Sequence, residues 1–202
     1  QDAYISGLEE LLKNGGNLSK VASVASFFVS RVDTAVDNEL ERLTGNGNGD
    51  LSGLMGQAAV ANAKLAYKSF QDVFGTERFG VLQARGARVQ RPLWASTGTK
   101  NPAYSDVLYV DTLIGSNTVN TMPDATLEAF LDHGQVSEAV TQGVSEAQRA
   151  MKALEDAGVR MSGVTSKLLV DGVKAFSDSF DQLMGNIEEK LSKLMSTAKS
   201  SH

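Results

Sequence analysis

Residues 91–102, with the sequence RPLWASTGTKNP, constrain the fold more than any other part of the chain. The apolar run 93–95 is long enough for the inside of a buried strand. The strand must end soon afterwards, because Lys100 and Asn101 follow and Pro102 cannot continue a strand ladder. Hydroxyl groups, free backbone N–H groups and one ammonium suit a phosphate or a sugar. This strand tip is therefore either a ligand site or an ordinary loop rich in turn-forming residues.

Two further segments predict strands. Residues 21–29 are rich in β-branched and aromatic side chains without alternation, which is typical of a strand covered on both faces by helices. Residues 118–122 predict a third, short strand, which Pro123 ends. Helices are predicted at residues 4–12, 32–43, 57–74, 77–83, 103–113, 127–131, 144–154 and 169–194. This alternation of strands and helices, with long C-terminal helices, indicates a parallel α/β fold.

The two segments with the weakest pattern are a glycine-rich stretch and the C-terminus. Residues 45–50 alternate glycine with asparagine and predict a flexible surface loop. They lack the lysine and the preceding strand of a phosphate-binding loop. Residues 197–202 predict a frayed tail. Because the chain starts in a helical pattern at Tyr4 and without methionine, we expect it to be cut from a longer protein.

The composition excludes several classes of function. The chain has no cysteine and two histidines, His133 and His202, so no thiolate nucleophile, histidine triad or metal site is expected. His133 is expected to act as a cation at a helix C-terminus. With a formal net charge of −5 and no basic stripe, neither nucleic acid nor an anionic membrane is an expected partner. No apolar run reaches the ~20 residues of a membrane span, and we expect a cytoplasmic protein.

Polar side chains follow each predicted strand at its carboxyl end. Arg31 follows the first strand, residues 96–101 follow the second, and Asn120 and Thr121 belong to the third. In parallel α/β proteins these ends form one rim, where the chemistry is usually found. Three strands cannot close a barrel, which needs about eight. For Arg31, an ion pair with one of the two aspartates of the following helix is the alternative.

Three motifs carry a resemblance to a known family. Residues 24–33, 91–109 and 117–123, with the sequences VASFFVSRVD, RPLWASTGTKNPAYSDVLY and NTVNTMP, resemble bacterial transaldolases of the long-chain subgroup. That subgroup also occurs fused to glucose-6-phosphate isomerase. The resemblance covers essentially all 202 residues and implies the C-terminal half of such an enzyme. It implies that residues 1–202 are a partial (β/α)8 TIM-barrel domain with the last three strands, in which the catalytic lysine and the acid/base carboxylates are missing.

The resemblance also implies a reaction and its substrates. The family transfers a dihydroxyacetone unit between sugar phosphates in the non-oxidative pentose phosphate pathway, through a lysine Schiff base and without a cofactor. The implied substrates are fructose 6-phosphate, sedoheptulose 7-phosphate, erythrose 4-phosphate and glyceraldehyde 3-phosphate. The chain alone is expected to be inactive. The resemblance leaves open which acceptor is preferred, whether an isomerase domain follows, and whether the parent protein is a homodimer.

The motifs imply which residues meet the substrate. Ser26, Phe28 and Arg31 match the family's Ser-Pro-Phe-Val-Gly-Arg strand tip, and Ser96 with Lys100 matches its Ala-Ser-Phe-Arg-Asn tip. The resemblance implies that Arg31 and Lys100 bind phosphate and that Ser96 donates a hydrogen bond. The remaining rim residues are Asn101, Asn120 and Thr121.

Two departures from the family pattern affect this assignment. Phe27 and Ser30 stand where the family has proline and glycine. Lys100 stands for an arginine in a longer loop, and it meets a phosphate as a point charge rather than as a bidentate fork. Three alternatives stay open: Lys100 forms the imine itself, the chain is a non-catalytic sugar-phosphate-binding α/β module, or it is a fragment of a bifunctional transaldolase/glucose-6-phosphate isomerase.

Overall fold

The computed structural model describes residues 1–199. Two short 3₁₀ helices, Leu18–Lys20 and Ser52–Leu54, lie between the longer elements. Those elements are α1 (Asp2–Lys13), β1 (Ser23–Phe28), α2 (Ser30–Gly45), α3 (Ala58–Phe74), α4 (Glu77–Gln83), β2 (Gln90–Ala95), α5 (Leu108–Asp111), β3 (Val119–Thr121), α6 (Asp124–His133), α7 (Val144–Asp156) and α8 (Met161–Lys199).

The three strands form one parallel sheet in the order β1-β2-β3. Ser26 pairs with Leu93 on the neighbouring strand, and Trp94 pairs with Asn120. Parallel neighbours need crossover connections, and helices supply them here: α2 to α4 connect β1 to β2, and α5 lies between β2 and β3. The predicted α/β fold with a parallel sheet is therefore confirmed.

The strand side chains divide between two faces of the sheet. Phe27 and Trp94 share the inner face, where their rings meet edge to face with centroids 5.8 Å apart. Val24 and Phe28 lie on the opposite face and are 40% and 39% exposed. The prediction that residues 21–29 are covered on both faces is therefore wrong for this chain, because that second face carries exposed apolar side chains.

The core lies on the inner face of the sheet. Trp94 is 1% exposed, and its indole N–H donates to the Leu113 carbonyl oxygen at 3.0 Å. The hydroxyl of Tyr67, on α3, donates to the Ser116 carbonyl oxygen at 2.8 Å and so ties α3 to the segment before β3. A second apolar cluster joins α1 to α4 and contains Ile5, Leu8, Leu18, Phe79, Leu82 and Ala87. These contacts fix the helices against the sheet and set the position of the strand ends.

The segment after β2 is less helical than its sequence predicts. The prediction of a helix over residues 103–113 is correct only for Leu108–Asp111. Upstream, the Asn101 side chain accepts from the Ala103 backbone N–H at 2.9 Å, and the Thr99 hydroxyl donates to the Ser105 carbonyl oxygen at 2.8 Å. Such local hydrogen bonds compete with helix formation, so this segment turns instead.

The chain divides into two compact units, of which one is residues 1–160 and the other contains α8. Apolar residues of α8, among them Leu169, Phe176 and Phe180, are exposed. Of the predicted tail at 197–202, residues 197–199 end α8, and residues 200–202, which include His202, lie outside the described residues. Over residues 1–199, no helix is both long and apolar enough to cross a membrane.

Candidate ligand site at the carboxyl ends of the strands

The parallel register brings the carboxyl ends of the three strands together. Phe28, Ala95 and Thr121 are neighbours in the sheet at this edge. Hydrogen bonds continue past the strand ends, because the Val29 N–H donates to the Ala95 carbonyl oxygen at 2.9 Å and the Ser30 N–H donates to the Ser96 carbonyl oxygen at 3.0 Å. The start of α2 is thereby joined to the loop that follows β2.

Arg31 lies in the first turn of α2 and is exposed. Its guanidinium lies 5.2 Å from the centroid of the Phe28 ring. Within residues 1–199 no carboxylate forms an ion pair with it, so the alternative of pairing with a nearby aspartate is wrong. A cation at a helix N-terminus is disfavoured by the helix dipole. An anion bound at this point would therefore be stabilised by both the arginine and the helix.

Ser96, the first residue after β2, has an unusual backbone conformation. Its φ is 54°, in the left-handed region that non-glycine residues rarely adopt. The hydrogen bond from the Ser30 N–H to its carbonyl oxygen holds it there. Strained residues of this kind concentrate at ligand sites. The hydroxyl of Ser30 is buried and has no hydrogen-bond partner among the described residues.

The third strand contributes two predicted rim residues in different ways. Asn120 is in register with Trp94, and its side-chain oxygen accepts from the hydroxyl of the buried Thr97 at 2.8 Å. Thr121 is in register with Ala95, on the face that carries Ser26 and Phe28. Asn120 therefore holds the loop after β2 in place, while Thr121 shares the exposed face with the residues of β1.

Lys100 and Asn101 lie in surroundings different from those of Arg31. They line a cavity of about 170 Å³ together with Asp37, Glu41 and Tyr104. Neither Arg31 nor Phe28 lines this cavity. The two cations that the motifs assign to one phosphate therefore have distinct environments here, since Arg31 stacks on an aromatic ring and Lys100 lies among carboxylates.

A buried carboxylate on α2 is a feature that the sequence reasoning missed. Asp33 is 1% exposed and accepts from the Tyr109 hydroxyl and from the Ala59 N–H, both at 2.7 Å. Burial raises the pKa of the Asp33 carboxyl, and these hydrogen bonds counter part of the rise. The pKa of the Tyr109 hydroxyl is also raised, by burial and by the bond to Asp33, so tyrosine remains the neutral donor.

A second pair repeats this arrangement one helical turn later. Asp37 accepts from the Tyr104 hydroxyl at 2.7 Å and from the Gly56 N–H at 3.0 Å. Burial and the nearby carboxylate raise the pKa of Tyr104. The spacing of Asp33 and Asp37, four residues apart in a helix, was the available signal that the two side chains share a face.

His133 ends α6, as its sequence position predicts, and it pairs with acidic neighbours. Its Nε2 lies 2.9 Å from an oxygen of Asp106, and its Nδ1 lies 3.1 Å from an oxygen of Asp132. These hydrogen bonds raise the pKa of His133, and the bond to Asp106 has the largest effect. In the part of the chain that the structure describes, no cluster of three acidic or histidine side chains is arranged to hold a metal ion.

The raised pKa predicts that the contact between His133 and Asp106 weakens as the pH increases. The folded state binds the proton more tightly than the unfolded state, so the contribution to stability is complete below about pH 6.5 and is lost as the pH rises through the folded pKa. A ¹H NMR titration of His133 should show a lower pKa in Asp106→Asn than in the wild type. His202→Gln assigns the second imidazole, and an unchanged His133 pKa in Asp106→Asn would contradict the prediction.

Comparisons with known proteins agree with one another. The family described as Transaldolase/Fructose-6-phosphate aldolase matches residues 5–187. A transaldolase of Saccharopolyspora erythraea is 47% identical over 191 residues, which are 94% of this chain and 51% of that protein. A transaldolase of Mycobacterium marinum is 49% identical over 195 residues, 96% of this chain and 52% of that protein. Transaldolase 2 of Streptomyces coelicolor is 46% identical over 194 residues, 96% of this chain and 51% of that protein. The chain thus spans about half the length of these relatives.

Proposed function

Because the chain belongs to the transaldolase/fructose-6-phosphate aldolase family, we propose that it forms the phosphate-binding side of a transaldolase. The observation that carries this proposal is Arg31, an exposed cation at a helix N-terminus and without a carboxylate partner among residues 1–199. The relatives are named transaldolases, and the chain corresponds to about half of each. The three parallel strands are then part of a (β/α)8 barrel that strands outside this chain complete.

The proposed site binds the phosphate of a ketose donor. Arg31 offers a planar fork that matches phosphate oxygens, and the Phe28 ring restricts the orientation of that fork. Ser96 donates a hydrogen bond from the end of β2. Ser26 and Thr121, on the open face of the sheet, line the space next to the sugar. The site fixes the donor so that its carbonyl carbon meets a lysine outside this chain.

The lysine outside this chain supplies the covalent chemistry. Its amine forms an imine with the ketose carbonyl and releases water, and cleavage of the C3–C4 bond releases an aldose phosphate. The electron pair of that bond stays with the three-carbon unit, which the imine stabilises. Addition of this unit to the carbonyl of an acceptor aldose phosphate, followed by hydrolysis, completes the transfer. The same proposal has three further parts. The substrates are sugar phosphates of the pentose phosphate pathway, the enzyme belongs to the long-chain subgroup, and its location is cytoplasmic.

Lys100 is assigned to phosphate binding rather than to imine formation. An imine-forming lysine is activated by a desolvated pocket or a cationic neighbour. Lys100 is instead exposed and shares its cavity with Asp33, Asp37 and Glu41. This environment does not supply the activation that a nucleophilic lysine needs, and the match of Lys100 to the family's strand tip supports the phosphate-binding role instead.

Borohydride trapping with fructose 6-phosphate tests the proposed function. We expect intact mass to show no adduct on this chain alone. We expect one adduct on a chimaera in which this chain replaces the matching 195 residues of the Mycobacterium marinum transaldolase, hereafter the marinum chimaera. Peptide mapping should place that adduct outside the grafted residues.

The control is the same chimaera with Lys100→Met, which should still form the adduct. An adduct on Lys100 in the chain alone would overturn the assignment of roles. A folded chimaera that binds fructose 6-phosphate but forms no adduct would favour the non-catalytic module instead.

A further inference from the structure

We propose that Tyr104 and Tyr109 are positioning residues. Through hydrogen bonds to Asp37 and Asp33, they hold residues 96–107, called the β2 loop below, in the conformation that binds the substrate's phosphate. The inference rests on the proposed function, because it concerns the same site. It assigns to four side chains the role of holding the loop, while the phosphate itself is bound by other residues.

The two tyrosines tie the β2 loop to the helix that carries Arg31. Asp33 and Asp37 lie one turn apart on α2, so their side chains share a face of the helix. The Tyr104 hydroxyl reaches Asp37 and the Tyr109 hydroxyl reaches Asp33, each at 2.7 Å. Hydrogen bonds of this length to a carboxylate are among the stronger ones in proteins. Two such bonds fix the end of the β2 loop and the adjoining α5 relative to the first two turns of α2.

The two carboxylates are themselves held from the opposite side. The other oxygen of Asp33 accepts from the Ala59 N–H at 2.7 Å, and that of Asp37 accepts from the Gly56 N–H at 3.0 Å. Each carboxylate is therefore bound at both oxygens and cannot rotate freely. Gly56 has a φ of 69°, and a Cβ at this position would lie 2.7 Å from Cζ of Tyr104. The close approach of the ring to this glycine fixes Tyr104 by shape as well as by its hydroxyl.

The β2 loop depends on these anchors because it has no regular structure of its own. It contains no helix or strand, and at its start Thr97 is bound to Asn120. Lys100 lies between this first anchor and the second, Tyr104. Ordering a loop at the moment of binding costs conformational entropy, and a loop that is already ordered avoids that cost. The anchors should therefore act on the affinity for phosphate and not on the covalent step.

The test compares Tyr104→Phe with a matched control, Tyr4→Phe, in the full chain. Tyr104→Phe removes the hydroxyl and keeps the ring against Gly56. Tyr4→Phe removes a hydroxyl that donates to the Arg88 carbonyl oxygen at 2.8 Å, just before the amino end of β2. We expect hydrogen exchange of the backbone amides of residues 97–101 and 103–106 to become about tenfold faster in Tyr104→Phe and to stay unchanged in Tyr4→Phe.

A second measurement links the loop to its ligand. Trp94 is the only tryptophan and lies two residues before Ser96, so its fluorescence should report a titration with inorganic phosphate. We expect the dissociation constant to rise about tenfold in Tyr104→Phe and to be unaltered in Tyr4→Phe. In the marinum chimaera, Tyr104→Phe should raise KM for fructose 6-phosphate about tenfold and leave kcat within about twofold, which mere destabilisation would not produce.

The two measurements separate this inference from the proposed function. Equal exchange rates in the two variants would overturn the role of Tyr104. Faster exchange with an unchanged phosphate affinity would overturn the link between the loop and the ligand. If the wild-type chain and chimaera bind no phosphate, the phosphate site itself fails, and the proposed function fails with it.

Discussion

Replacing Asp33 with alanine is expected to lower the free energy of unfolding by about 3 kcal/mol. The substitution leaves the Tyr109 hydroxyl and the Ala59 N–H in the protein interior without an acceptor. Each unsatisfied buried donor costs roughly 1–3 kcal/mol, while the loss of a desolvated carboxylate offsets part of the cost. Urea unfolding of residues 1–202, followed by Trp94 fluorescence, measures the change.

Two variants control for the loss of a carboxylate as such. Asp72→Ala removes an exposed carboxylate that pairs with Lys68 on the surface of α3, and should change the stability by less than about 0.5 kcal/mol. Asp33→Asn keeps an oxygen for the Ala59 N–H and turns an N–H₂ group toward the Tyr109 oxygen, so it should stay within about 1 kcal/mol of the wild type. If Asp33→Ala were no more destabilising than Asp72→Ala, the proposed strength of this network would be wrong.

The elements of this chain are predictable where a local pattern decides them. The apolar run before Ser96, ended by turn-forming residues and Pro102, predicts β2 and its end. The helical spacing after Arg31 predicts α2. The parallel sheet follows from the alternation of strands and helices, because neighbouring strands joined by helices run parallel. The predicted parallel sheet in turn predicts that Arg31 and Ser96 lie at the same edge, where the strands have their carboxyl ends.

Contacts between distant residues could not be predicted in this way. Asp33 and Tyr109 are 76 residues apart in the sequence, and an isolated aspartate on a helix is usually read as a solvated residue. The sequence assigns Asn120 to the rim because it lies near the carboxyl end of a predicted strand, but its orientation depends on a register that only the folded sheet fixes. The exposed face of β1 is a third case, because burial depends on which other elements are present.

Replacing Arg31 with alanine in the marinum chimaera is expected to lower kcat/KM for fructose 6-phosphate about 100-fold, mainly through KM. A charge-assisted hydrogen bond to phosphate contributes about 1.5–3 kcal/mol, and 1.36 kcal/mol corresponds to a tenfold change. Arg31 has no carboxylate partner within residues 1–199 that its removal would leave unpaired, so stability should change by less than about 0.5 kcal/mol. Steady-state kinetics and thermal unfolding of the same preparation separate the two effects.

The comparison with Arg31→Lys and Arg85→Ala shows whether the geometry or only the charge of Arg31 matters. Lysine restores the charge without the planar fork, so Arg31→Lys should recover about tenfold of the lost kcat/KM and remain well below the wild type. Arg85 is an exposed arginine after α4, before the amino end of β2, and Arg85→Ala should leave KM within about twofold. A fall in kcat with an unchanged KM in Arg31→Ala would place this residue in the covalent step instead. Equal losses in Arg31→Ala and Arg85→Ala would reduce the role of both residues to general electrostatic attraction, which requires no contact between the arginine and the substrate.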